Sequence, residues 1–189
     1  TSPKDIVEVP QRLYCPMHCA PIHWLAGNAS SEDTEAKRVL ADRAANLLTE
    51  LKFRGSNGNG GAADTDTIAA LATELQTEHD DFCATLSGGQ RAKLELVRSV
   101  LIKPACPPLL LLDEYFAPLD AASKATITRR LRSACASSVV VAVYHPDEEA
   151  TDANSDSELC ELGPEDSPFF DSVLEVKDGV LLPPRACPR

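Results

Sequence analysis

No apolar run in the 189 residues approaches the ~18 needed to span a membrane, so any attachment to a bilayer has to come through a partner. Basic residues are scarce. Lys and Arg total 18 against 29 Asp and Glu, a formal net charge of −11. That deficit argues against a phosphate-backbone binder, because nothing here would displace counterions from nucleic acid. It also disfavours adsorption to an anionic membrane surface. There is no internal repeat, no basic-then-apolar signal pattern and no initiating Met, and the chain from Thr1 reads as a piece of something longer. The seven cysteines (Cys15, Cys19, Cys83, Cys106, Cys135, Cys160, Cys187) lack the even count and framed spacing of a disulfide scaffold. They point instead to free thiols in a reducing compartment. Cys15, His18, Cys19 and His23 fit a zinc site poorly, and no second Cys/His pair follows.

What is present suits a soluble globular protein with a real core: 43% hydrophobic and 25% charged residues. Ile6, Val7, Glu8 and Val9 make a strand-like segment stopped by Pro10. After Gln11 comes a loop rich in Pro, Cys and His, to about residue 28. From about 35 to 53, Leu40, Ala44, Leu47, Leu48 and Leu51 recur at helical spacing with charges opposite. A glycine-rich break at 55–61 precedes a second helix that starts near Asp66 or Thr67 and buries Ile68, Leu71 and Leu75. A third starts at Ser87, Gly88 and Gly89, turns Leu94, Val97 and Leu101 inward, and ends at Lys103-Pro104. Residues 109–112, four leucines, form a short run suited to a central strand buried on both faces. Residues 121–134 read as helix and 139–143 as a second buried strand. Residues 172–177 and 180–182 flank Asp178-Gly179, a strong hairpin signal. The stretch 147–167 is acidic and Ser-rich, a solvated insertion. Alternation of strand and helix after residue 105 argues a parallel α/β sheet.

Two places carry chemistry. Leu86-Ser87-Gly88-Gly89-Gln90 opens an amphipathic helix, where glycines let a ligand approach the backbone and unpaired N–H groups attract an anion. Asp113 and Glu114 end the leucine strand, at the strand end where an open parallel sheet binds ligands.

In their order along the chain these elements resemble the second half of an ATP-binding cassette (ABC) nucleotide-binding domain. Residues 86–98 resemble the signature and the helix behind it, 109–114 the Walker B strand, and Phe116-Ala117-Pro118-Leu119-Asp120 the D-loop. His145, after the valine-rich strand, resembles the switch histidine, and Val9-Pro10-Gln11-Arg12 the Q-loop. Tyr115 departs from the family, which usually has Pro there. No Gly-x-x-x-x-Gly-Lys-Ser/Thr is present. The nearest candidate, Gly55 to Gly60, is followed by Gly61 where Lys is needed and comes after a helix instead of a strand.

The resemblance implies a partial P-loop NTPase-type parallel sheet, α/β in class, with an inserted helical subdomain. Its parts would be a strand and Q-loop entry (1–12), the helical subdomain (13–104), the catalytic core (105–182) and a tail (183–189). It implies ATP as substrate, Mg²⁺ held by Asp113 and Gln11 through water, and catalysis by Glu114, His145 and Gln11. Ser87, Gly88, Gly89, Gln90 and Asp120 would contact ATP. The partners implied are a second cassette, identical or different, and a transmembrane transporter domain or subunit, at the cytoplasmic face of a membrane. Repair, cohesion and translation ATPases of the same family, or a catalytically incompetent half-cassette that only binds a partner, are the alternatives.

Overall fold

The computed structural model describes residues 5–10, 14–25, 34–54, 65–143 and 169–187. Strands β1 (Ile6–Val9), β2 (Leu109–Asp113) and β3 (Val139–Val143) form a parallel sheet in the order β1-β2-β3. The leucine run is its centre, as its sequence suggests. Between β1 and β2 lie helices α1 (Pro21–Leu25), α2 (Thr34–Glu50), α3 (Thr65–Gln76) and α4 (Gly88–Leu96); α4 passes into a π-helical turn, Val97–Leu101. Helix α5 (Ala121–Ala134) connects β2 to β3. Two small antiparallel pairs follow. β4 (Ser172–Val173) pairs with β7 (Arg185–Ala186), and β5 (Val176–Lys177) with β6 (Val180–Leu181). Asp178 and Gly179 join β5 to β6 with φ of 53° and 77°, the positive values a two-residue hairpin turn requires. β7 lies within the stretch read as a tail.

The core gathers on one face of the sheet. Val9, Leu110 and Leu112 are buried in a cluster with Leu48 of α2, Leu51 just after it, Leu75 of α3, Leu94 of α4, and Ile127 and Leu131 of α5. Register pairing puts Ile6, Leu109 and Val139 side by side, and likewise Glu8, Leu111 and Val141, on the other face. There Val139, Val141 and Val143 are 62%, 46% and 48% exposed. β3 is therefore not the buried strand its valines suggest, and β2 is fully buried on one face only. An unbroken apolar run cannot distinguish a two-sided strand from a one-sided one whose second face is left uncovered.

The cysteines also correct the sequence reading. Cys15 is bonded to Cys83 and Cys106 to Cys135, with Cα separations of 6.1 and 5.2 Å, and Cys187 is disulfide-bonded too. Among the described residues Cys19 alone is a free thiol. The partners are 68 and 29 residues apart in sequence, so only the fold brings them into disulfide range. The expectation of free thiols does not hold for these residues. Cys15, so bonded, is not a metal ligand.

Helix α2 ends in a Schellman turn. The N–H of Phe53 donates to Leu48 O and that of Lys52 to Thr49 O, both at 2.9 Å. Lys52 takes the left-handed position, φ 54°, where glycine is usual. Lys52→Gly is expected to stabilise the chain by about 0.5–1 kcal/mol, the left-handed cost less glycine's extra entropy loss. A denaturant midpoint that does not rise would contradict this.

Candidate functional site

Residues 86–90 sit where α4 meets the loop that follows β2. Ser87 is the N-cap of α4. Its Oγ accepts from the Gln90 N–H at 3.2 Å, and Gln90 Oε1 accepts from the Ser87 N–H at 2.8 Å, a reciprocal capping box. Gln90 Nε2 donates to the Phe53 carbonyl at 3.0 Å and Lys93 Nζ to the Lys52 carbonyl at 2.9 Å. Both acceptors belong to the turn that ends α2, so α4 is fastened to it by two side chains. Burial pulls the Lys93 pKa down, opposed by the Asp120 carboxylate and helped by Lys52. The Arg91 N–H bonds to Ser87 O at 2.9 Å. The N–H groups of Gly88 and Gly89 are then the ones that helix geometry points outward, toward an anion.

The same glycines admit a neighbour. A Cβ on Gly88 would stand 3.2 Å from Pro118 Cβ, and one on Gly89 3.0 Å from the Pro118 carbonyl oxygen. Pro118 belongs to the loop that follows β2, so the turn at 86–90 and the D-loop-like segment touch.

That loop begins under constraint. Asp113 is exposed at the end of β2. Glu114 then turns the chain with φ 47°, a left-handed conformation costly for a residue with a Cβ and often found at functional sites. Its N–H donates to Val143 O at 3.2 Å, tying the loop to the end of β3. Tyr115 is 2% exposed, and its hydroxyl donates to the Ala92 carbonyl of α4 at 3.1 Å. Burial raises its pKa, and Glu95 adds to the rise. Phe116, wholly buried, packs edge-on against it with ring centroids 5.3 Å apart. The sequence reading noted Tyr115 as a departure and missed its part as an anchor of the site. The signal was a bulky aromatic directly behind two acids, where a solvated loop would carry a polar residue.

Asp120 is the N-cap of α5. It accepts from the Ser123 N–H at 2.7 Å and from the Ser123 hydroxyl at 3.2 Å. The Ser123 N–H, chiefly, holds its carboxyl below the ordinary 3.8, with the Ser123 hydroxyl and Lys93 adding and burial opposing. A depressed carboxyl stabilises above its unfolded pKa and loses that contribution as pH falls through the folded value. Asp120→Ala should therefore cost about 1 kcal/mol near neutral pH. The difference from the parent chain should shrink at about pH 2.5. Denaturant unfolding at both pH values checks the sign, and a penalty that grows on acidification would refute it.

Gln11 and His145 lie outside the described residues. The strands that end two residues before each, at Val9 and Val143, finish at the same edge of the sheet as Asp113. Asp113 offers a carboxylate of the kind Mg²⁺ takes while keeping its waters, so the donor chemistry fits that ion. Among the described residues no group of three or more His, Cys, Asp or Glu side chains could enclose a metal ion.

Comparison with known proteins gives the site its context. An aliphatic sulfonates import ATP-binding protein (SsuB 1) of Nocardia farcinica is 41% identical over 90 residues, covering 47% of this chain and 31% of its own length. The sulfate/thiosulfate import ATP-binding protein CysA of Salmonella typhi is 36% identical over 100 residues, covering 47% of this chain and 27% of its own length. Over about half its length the chain is homologous to ABC transporter ATP-binding proteins. It spans about a third of the length of the curated relatives it matches. No family model matches it. The fold agrees: a bacterial Atm1-family ABC exporter with ATP bound superposes at a TM-score of 0.59 and 21% identity, over 97% of this chain and 25% of that one. The sheet with its helical insertion is thus an ABC ATPase fold. No helix among the described residues is long and apolar enough to cross a membrane.

Proposed function

We propose that the chain forms the C-terminal part of an ATP-hydrolysing ABC cassette that couples turnover to transport through a membrane partner at the cytoplasmic face. The observation that carries this reading is the contact between the turn at 86–90 and the loop at 114–120. That contact sets an anion-binding helix end beside the loop that follows the strand-end carboxylates.

Each part has a role. Glu114 orients and deprotonates the water that attacks the γ-phosphate in line. Asp113 holds the water shell of Mg²⁺, which when bound neutralises charge on the phosphates. Gln11 and His145 act on the nucleotide of their own cassette, Gln11 also on the Mg²⁺ shell. Ser87, Gly88 and Gly89 act on the nucleotide of a second cassette, identical or different, docked head to tail. Gln90 supports them by capping Ser87. Asp120, fixed as the N-cap of α5, faces the dimer interface and organises contacts across it.

The sheet face of Ile6, Leu109, Leu111, Val139, Val141 and Val143, which no second layer covers among the described residues, supports the same reading. Parallel sheets in α/β proteins are covered on both sides, and the upstream part of a complete cassette would supply the second cover together with the phosphate loop. The named proteins include importers and an exporter, and the substrate is left unassigned.

Calorimetric titration of Mg-ATP tests the reading. The 189-residue chain is expected to show no binding, because its sequence has no Gly-x-x-x-x-Gly-Lys-Ser/Thr segment to supply a lysine and N–H groups for the triphosphate. The chain completed upstream with such a segment is expected to bind in the micromolar range, on the order of −8 kcal/mol. Micromolar binding by the chain alone would overturn the proposed division of labour.

A further inference from the structure

We propose that the Cys15–Cys83 bond is a redox-responsive clip that sets the position of the turn carrying residues 86–90. Cys83 lies three residues before Leu86. Its carbonyl accepts from the Leu86 N–H at 3.1 Å and from Arg91 Nε at 3.0 Å. A shift of Cys83 therefore moves both ends of the signature turn. On the other side of the bond, Cys15 belongs to the segment that leaves β1 past Gln11. The two segments run side by side, held by backbone hydrogen bonds from His18 N–H to Asp80 O at 3.0 Å and from His79 N–H to Cys19 O at 3.3 Å. Phe82 and Leu86 seat the segment before the turn in the core, and the covalent link adds to this short ladder the one bond that ties Cys83 to the Cys15 segment.

The second bond makes the contrast. Cys106 precedes β2 and Cys135 caps the end of α5 ahead of β3, so it ties the sheet at the edge away from Asp113. The proposed cytoplasmic setting is reducing, and disulfides that form there are usually transient or redox-sensing.

The chemistry is thiol–disulfide exchange with a dithiol. A thiolate of the dithiol attacks the sulfur of Cys15, the more exposed partner, since Cys83 is 7% exposed. The bond to Cys83 breaks, and Cys83 leaves as a thiolate that takes up a proton. The second thiol of the dithiol then displaces Cys15 and closes the dithiol as its own disulfide. Two electrons pass from the dithiol to the pair. A disulfide such as oxidised glutathione reverses the step.

For its effect on ATP the clip rests on the proposed function, but its test does not read ATP at all. Amide hydrogen exchange is followed by mass spectrometry on the chain, oxidised and after dithiothreitol, alongside thiol counting. Reduction should speed exchange at residues 86–91 roughly tenfold, leave α2 amides unchanged, and be undone by oxidised glutathione. Cys15→Ser should show the fast exchange without reductant and no further response to it. Cys106→Ser should keep the response, and with the wild type it carries the test if Cys15→Ser does not fold. Unchanged exchange at 86–91 on reduction, an equal rise throughout the chain, or Cys15 and Cys83 titrating as free thiols in the oxidised protein would each overturn the clip. Failure of Mg-ATP binding in the completed cassette would leave it untouched.

Discussion

Glu114→Gln in the complete cassette should lower steady-state ATP turnover by roughly 10²- to 10⁴-fold, the usual loss when a general base is removed. ATP-driven dimerisation should persist. The amide keeps the size of the side chain and most of its hydrogen bonding, and loses only the charge that takes a proton from water. The backbone fixes where this side chain starts. Glu114 stands at φ 47°, with its N–H on Val143 O and the buried Tyr115 next to it anchored to α4. Phosphate release together with size-exclusion chromatography measures both halves of the expectation. Unchanged turnover would leave Glu114 with a structural role alone.

Gly88→Asp should separate folding from activity even more sharply. An acidic side chain in the first turn of a helix favours the helix, because it faces the positive end of the dipole. The added Cβ would meet Pro118 Cβ at 3.2 Å, a contact that needs a shift of only a few tenths of an ångström. The unfolding free energy should therefore stay within about 1 kcal/mol of the parent value. At the same place a triphosphate would meet a carboxylate in place of open N–H groups, so turnover should fall by more than about 100-fold. Nucleotide affinity of the monomer should be unchanged, because the turn serves the other cassette's nucleotide. A fall in monomer affinity would show that the turn acts on its own chain's nucleotide.

Local patterns made much of the fold legible. The apolar periodicity of α2 and α3, the leucine run of β2 and the Asp178-Gly179 turn each imply their element through local energetics. So does the start of α4, where Ser87 followed three residues later by Gln90 has the spacing of a capping box. Helix α1 was hidden because five residues, Pro21–Leu25, are too few to show a period. The uncovered side of β3 was hidden because a valine run looks the same whether or not a second layer is present. The disulfides were hidden because pairing across 68 and 29 residues is a property of topology. At the site, the strand-end acids and the glycine turn could be read one by one. Their contact through Pro118 could not, because nothing local marks a proline loop as lying against two glycines some 30 residues earlier in the sequence. Tyr115 turned an apparent irregularity into an anchor. Asp120 and Gln90 proved to have capping duties beside the roles proposed for them.

The claim that the turn and the carboxylates serve different nucleotides is tested most directly by mixing. Cassettes carrying Glu114→Gln and cassettes carrying Gly88→Asp are each expected to be nearly inactive alone. In a mixed dimer one site collects both lesions and the other collects neither. With random pairing, half the dimers are mixed and one of their two sites is intact, so ATP turnover should recover to about a quarter of wild type. A mixture no more active than its parents would mean that both motifs act on the same nucleotide, and the head-to-tail arrangement would be wrong.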